Sequence, residues 1–180
     1  PQDRSSAASD VYKRQAKIHE KDWWEATTFK NMQLTCTPAQ HFSGRKFSNR
    51  KSTLWSSWVI KSKDANIYFS GDSGYGKHFA QIGESHGPFD LALVECGQYN
   101  KMWPDNHMFP KESAQAGLDL KARAMMPIHW GAFKLSMHAW TAPIQQVRKE
   151  AAALGIPLVT PEIGAPIRIE TLPEPNTVWW

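Results

Sequence analysis

Three positions carry residue types able to hold a metal ion, each where an apolar run gives way to a turn: His41 in CTPAQHFSGR, Asp72 in IYFSGDSGY and His129 in MMPIHWGAF. Imidazole nitrogen and carboxylate oxygen suit zinc, and a reactive site sets such ligands on loops leaving firm strands, so that geometry is fixed while a coordination position stays open. Taken singly, each has a plainer reading. His41 after Pro38 serves equally as a turn histidine, Asp72 beside glycines as the acceptor of an Asx-turn, and His129 between Ile128 and Trp130 as a core histidine. Three in order favour ligands. A hydrolytic centre with two ions needs about six or seven protein ligands. The chain offers no second cluster of His and Asp, so the three read as half of a site.

The elements that must position them follow from the apolar pattern. Met32 to Thr37 and Thr53 to Ile60 are rich in strand formers with a Gly/Arg/Asn/Ser stretch between them, which predicts a hairpin or meander. Asn66 to Ser70 reads as a third strand, followed by a glycine-rich turn at Gly71 to Gly76 and a short helix from His78 to Ile82. Then come a strand (Leu91 to Glu95), a helix (Pro110 to Lys121, with proline in its first turn), a strand (Ala124 to His129) and a helix (Ala142 to Leu154, capped by Thr141 and stopped by Gly155). Leu158 to Thr160 and Pro166 to Glu170 read as closing strands. Strands interrupted by helices predict a layered α/β architecture. Such sheets collect ligand chemistry at the carboxyl ends of their strands, where His41, Asp72 and His129 all fall.

Pro38-Ala39-Gln40-His41, Gly71-Asp72-Ser73-Gly74-Tyr75 and Ile128-His129-Trp130-Gly131 also occur together in a known family, with Leu54-Trp55-Ser56-Ser57-Trp58 and His107-Met108-Phe109-Pro110 as further support. Through these motifs, from about Ile18 to about Ile169, the chain resembles the C-terminal half of a metallo-β-lactamase-fold hydrolase. The branch is that of N-acylphosphatidylethanolamine-hydrolysing phospholipase D and the RomA/UlaG-like proteins. The resemblance implies an α/β fold, the C-terminal half of an αββα sandwich, and a metal-dependent hydrolase of phosphodiester bonds. It implies two zinc ions, with manganese or iron compatible with the same ligands. Asp72 would bridge the ions, His41 would bind one and His129 the other, with Asp72 and His129 as the catalytic residues.

The resemblance extends to weaker positions. His107 matches a His-x-x-Pro pattern, where it would orient the site or touch substrate; a hydrogen bond at the helix entry is an equal reading. His138 lies on a loop able to fold over the site, where substrate contact competes with a plain surface role. Tyr75 and Ser73 follow Asp72 and would contact substrate or hold the loop, the structural role being preferred. His19, His78 and His86 read as surface residues. Trp55 and Trp58 on one strand should face opposite sides, and a groove lined by aromatics would suit a small-molecule or phospholipid substrate and peripheral membrane contact.

Composition bounds the rest. An apolar fraction of 41% in 180 residues is enough for a core. The balance of 21 basic against 17 acidic residues is spread without a block, so nucleic-acid binding is not expected. Cys36 and Cys96 form no C-x-x-C pair and read as small buried hydrophobes, with a cytoplasmic location as the default. Residues 1–16 read as a leader foreign to the fold, 17–170 as a partial domain and 171–180 as a loose tail. The family's upstream H-x-H-x-D-H motif does not occur in these 180 residues. The expectation is therefore an N-terminally truncated, inactive fragment whose uncovered apolar face promotes aggregation or homo-oligomers. The competing reading is a non-catalytic binding or scaffold protein that keeps the fold, and a lactonase or other hydrolase of the same fold is a third.

Overall fold

The computed structural model describes residues 19–43, 53–172 and 178–180. The strand-forming runs become β1 (Ala26–Phe29), β2 (Met32–Pro38), β3 (Ser56–Lys61), β4 (Asn66–Phe69), β5 (Leu91–Glu95) and β6 (Met125–Ile128), side by side in that order in one sheet. β1 to β4 form an antiparallel meander. The β4–β5 and β5–β6 pairs are parallel, which requires a crossover that carries the chain back to its starting edge. α1 (His78–Ser85) and α2 (Pro110–Asp119) are those crossovers, and α3 (Ala142–Ala153) follows β6 and packs on α2. Two antiparallel steps separate β2 from β4. β2, β4, β5 and β6 therefore run the same way, and their carboxyl ends share one edge.

Local chemistry sets the helix ends. Pro110 needs no N–H partner in the first turn of α2, where Glu112 accepts the Phe109 N–H at 2.8 Å. Gly155 ends α3 at φ +70°, and the Ile156 N–H turns back to the Ala151 carbonyl.

The helices cover one face of the sheet, burying Tyr68, Phe79, Phe89, Val94, Met108, Leu120, Met125, Ile144 and Val147 in one core. Residues paired across strands share a face. The pairs Leu34↔Ile60, Trp58↔Phe69, Ile67↔Leu91 and Leu93↔Met126 therefore lie together on the other side. There, among the described residues, a small cluster around Leu91, Ala124, Val159 and Leu172 is closed. Phe69 is exposed and Leu34, Trp58, Ile60, Ile67, Leu93 and Met126 are half-buried. The described residues thus form one sheet with one helical layer packed on it.

Several elements differ from the sequence expectation. Leu158 to Thr160 makes a single bridge, from Leu158 to Met125, and Ile169–Thr171 is a 3-10 turn. Neither segment is a strand, because Pro157, Pro161 and Pro166 lack the N–H groups that a ladder needs. β1 is an unexpected edge strand of only four residues. Trp55 lies just ahead of β3 rather than within it, and Thr141 occupies the cap position of α3 without a side-chain cap bond. The leader, residues 1–16, and the turn-like stretch 44–52 lie outside the described residues. Where described, the tail is packed: Leu172 is buried, and Trp179 and Trp180 each lie 5.3 Å from Trp130, ring to ring.

His78 is a correction. Read as a surface residue, it is buried at the start of α1, its ring 4.1 Å from Phe79 and its Nε2 3.2 Å from Ser73 Oγ. Burial pushes its pKa down to about 4. His86 is half-buried and stacks on Trp24 at 6.3 Å. A folded-state pKa below the unfolded value of 6.5 means that the His78 contribution is complete above pH 6.5 and is lost as pH falls towards 4. The loss amounts to about 3 kcal/mol. Urea midpoints of the wild type and His78→Asn from pH 7.5 to 4 should therefore converge as the pH drops. Parallel curves would contradict the assignment.

Candidate metal centre

Four chain segments meet at the edge shared by the ends of β2, β4, β5 and β6. His41 follows β2. Its half-buried ring stacks on Trp55 at 4.4 Å and on Phe42 at 5.0 Å. Its Nδ1 lies 2.9 Å from the Phe42 carbonyl, which can only accept, so Nδ1 carries the proton and Nε2 keeps its lone pair. Asp72 follows β4 through Gly71, which adopts φ +59° with a carbonyl of the β3 strand, Ser56 O, 3.2 Å from where a Cβ would stand.

The two loops are stitched together. The Gln40 N–H donates to Ser73 Oγ at 3.0 Å, and the Gly74 N–H donates to the Gln40 carbonyl at 2.7 Å. A Cβ on Gly74 would sit 2.1 Å from the Asp105 carbonyl, so only glycine lets the segment leading to His107 pass this close.

His129 directly follows β6 at φ +65°, a left-handed conformation uncommon for any residue but glycine and a form of strain that gathers at functional sites. Its Nδ1 is 3.6 Å from Asp72 Oδ1. A Cβ on Gly97, just past β5, would lie 1.9 Å from the His129 carbonyl, so the β5 and β6 ends can approach only with glycine there. His107, 6% exposed on the segment between β5 and α2, stands between the other rings, 5.3 Å from His41 and 5.2 Å from His129. It makes no bond at the helix entry, where Glu112 serves instead.

Glu95, the last residue of β5, is fully buried beneath this cluster. Its Oε1 accepts the Met108 N–H, and its Oε2 lies 3.4 Å from His107 Nδ1. Ligand atoms of Glu95, His107 and His129 lie within 4.8 Å of one another. Burial pulls the pKa values of His41, His107 and His129 below the usual histidine value, with Asp72 opposing the shift in all three. Neutral rings are the form in which imidazole binds a metal. Burial pushes Glu95 well above the carboxylate range, with the Met108 N–H opposing.

Of the residues expected at the site, the structure gathers His41, Asp72, His107 and His129 at this edge. Tyr75 and His138 each have contacts of their own. The Tyr75 hydroxyl donates to Asp119 at 2.6 Å and its ring stacks on Phe79, while burial and that acidic partner push its pKa up to about 12. His138 stacks on Tyr99 at 4.5 Å. Sequence reading missed Glu95, whose one signal was a charged residue closing an apolar strand.

Gln98 was also missed, and it shapes the wall beside His129. From φ +65° its buried side chain donates to the Phe133 carbonyl and accepts the Leu135 and Ser136 N–H groups, at 2.7, 2.9 and 2.9 Å. This holds a loop whose Phe133, Leu135 and Met137 side chains are 93%, 73% and 83% exposed. With His129, Trp130 and Ala132, it lines an open cleft of about 330 Å³. Gln98→Leu should cost about 2–3 kcal/mol, by leaving those groups unpaired. It should also speed amide exchange at Leu135 and Ser136; unchanged exchange there would refute the clamp.

The sequence matches the beta-lactamase superfamily domain over residues 2–130. It is 40% identical over 170 residues to an uncharacterised protein of Mycobacterium tuberculosis, an alignment covering 92% of this chain and 45% of that protein. The outer membrane protein RomA of Klebsiella pneumoniae is 53% identical over 94 residues, covering 52% of this chain and 70% of RomA. The N-acyl-phosphatidylethanolamine-hydrolyzing phospholipase D 1 of Caenorhabditis elegans is 34% identical over 125 residues, covering 66% and 35%. A metallo hydrolase of Ignicoccus hospitalis, Igni18, superposes with a TM-score of 0.66 at 18% identity, covering 88% of this chain and 63% of that one. The chain belongs to the beta-lactamase superfamily and has the α/β fold of its metallo-hydrolase members. It spans about half the length of the curated relatives it matches first.

Proposed function

We propose that this chain supplies one half of the metal centre of a hydrolase acting on phosphodiester bonds, with His41, Asp72 and His129 as ligands and Asp72 as the carboxylate shared between ions. The observation that carries the reading is the approach of Asp72 Oδ1 to His129 Nδ1, 3.6 Å, inside a cluster completed by the rings of His41 and His107. The donor set fits a divalent ion: the neutral imidazoles of His41 and His129 and the carboxylate of Asp72. Zinc suits these donors best, and manganese or iron suits them too. When bound, such an ion activates water and offsets charge developing on phosphoryl oxygens.

The protein's own residues do the rest. Asp72 and the neutral rings hold position through the stitched loops, and His107 faces the same space. Phe133 and Leu135 offer an apolar wall beside His129 that would accept acyl chains, which supports a phospholipid over a wholly polar substrate, and peripheral contact with a membrane. The similarity to phospholipases D acting on N-acylphosphatidylethanolamine points the same way. The three ligands are fewer than two ions require, so hydrolysis by the 180 residues alone is expected to be slight. The half-buried apolar sheet face favours self-association.

A cytoplasmic setting fits the two free, buried thiols. No helix among the described residues is long and apolar enough to cross a membrane.

The test is a panel of phosphodiesters, lactones and N-acylphosphatidylethanolamine vesicles given to the zinc-loaded gene product that carries this chain. Turnover of phosphodiesters, lost in His41→Ala and His129→Ala, is expected. Turnover confined to lactones, or unchanged in both variants, would contradict the reading.

A further inference from the structure

Among the described residues, two polar atoms beneath the cluster have no hydrogen-bond partner although they lie close together. Glu95 Oε2 and His107 Nδ1 are 3.4 Å apart, and both are buried. The side chain of Glu95 is fully buried and that of His107 only 8% exposed, so water does not explain how either atom is satisfied. A lone unsatisfied group at such depth is costly, and a small rotation of the ring would let two groups this close satisfy each other by sharing a hydrogen.

The surroundings prepare Glu95 for this. Its Oε1 is already engaged by the Met108 N–H, in the residue that follows His107, and its own N–H donates to Ser70 Oγ at 3.0 Å, in the loop that leads to Asp72. The carboxyl group is thus held at Oε1 by the Met108 N–H and the residue's main chain by Ser70, while Oε2 has no hydrogen-bond partner among the described residues.

We propose that Glu95 is a positioning residue for His107: one hydrogen shared between Oε2 and Nδ1 fixes the rotation and the tautomer of the ring, leaving Nε2 as the nitrogen available to the pocket beside His41 and His129. The inference rests on the reading of that pocket as the reaction centre, since only there does a fixed Nε2 serve substrate. Either atom of the pair can carry the hydrogen; each arrangement locks a single tautomer. Glutamine at position 95 has both a donor and an acceptor and so keeps the bond, whereas leucine keeps the volume and removes it.

The test is nitrogen-15 NMR of the histidine rings in the metal-free 180-residue chain, with His107 assigned by His107→Gln. Because no metal is added, the outcome is independent of whether the centre binds zinc. In the wild type and Glu95→Gln, His107 is expected in one tautomer favoured by roughly tenfold or more, as a hydrogen bond to a charged or polar buried partner provides. In Glu95→Leu the two tautomers should average. An averaged ring in the wild type overturns the proposal, and so does a locked ring in Glu95→Leu. If Glu95→Leu fails to fold, the wild type and Glu95→Gln still decide: a locked ring in both supports the bond, and an averaged ring in either overturns it.

Discussion

Asp72→Ala is expected to weaken divalent-metal binding by more than about 100-fold, exceeding the effect usual for a residue that only supports a ligand. The reason is charge. Burial keeps His41, His107 and His129 neutral, so without Asp72 a dication would face neutral nitrogens and Glu95, whose Oε1 is already taken by the Met108 N–H. Removing a half-exposed carboxylate should leave the fold alone. Equilibrium dialysis against zinc, with thermal melting of the metal-free chain as control, checks this. Retained zinc affinity at an unchanged melting temperature would remove Asp72 from the ligand set.

Gly97→Ala should damage both the fold and the site. A Cβ there meets the His129 carbonyl at 1.9 Å, backbone against backbone, so neither atom can swing aside. The β5 and β6 ends must part, at about 3 kcal/mol, which lowers the melting temperature by roughly 6–12 °C in a chain of this length. Since His129 moves with its carbonyl, zinc binding should fall too. Gly131→Ala is the contrast. No atom lies within 4 Å of its Cβ, so only the φ of +77° opposes it, and the cost should be about 1 kcal/mol. Equal effects of the two substitutions would contradict the steric account.

The main architecture was legible from sequence because burial and pattern agree where helices cover the sheet. Leu91–Glu95 is a strand with the expected bounds, and the starts of α2 and α3 were marked by Pro110 and by Thr141. The segment after α3 misled because Leu158, Val159, Ile167 and Ile169 supply apolar residues without enough N–H donors. His78 misled because a single histidine at a helix start has no period to reveal which way it faces.

At the site, His41, Asp72 and His129 stood out as polar residues at strand ends. Glu95 did not, because its value lies in a neighbour, His107, that only the β5–α2 connection brings beneath the rings. Gln98 was hidden for a similar reason: its three partners lie far along the chain, at Phe133, Leu135 and Ser136.

The convergence of His41, Asp72 and His129 on one metal centre is tested most directly by anomalous diffraction at the zinc edge from zinc-soaked crystals of the protein. The account predicts a peak within about 2.0–2.2 Å of an Asp72 oxygen and of a nitrogen of His41 or His129. A peak held by Glu95 and His107 without Asp72, or no peak at this edge of the sheet, would contradict it.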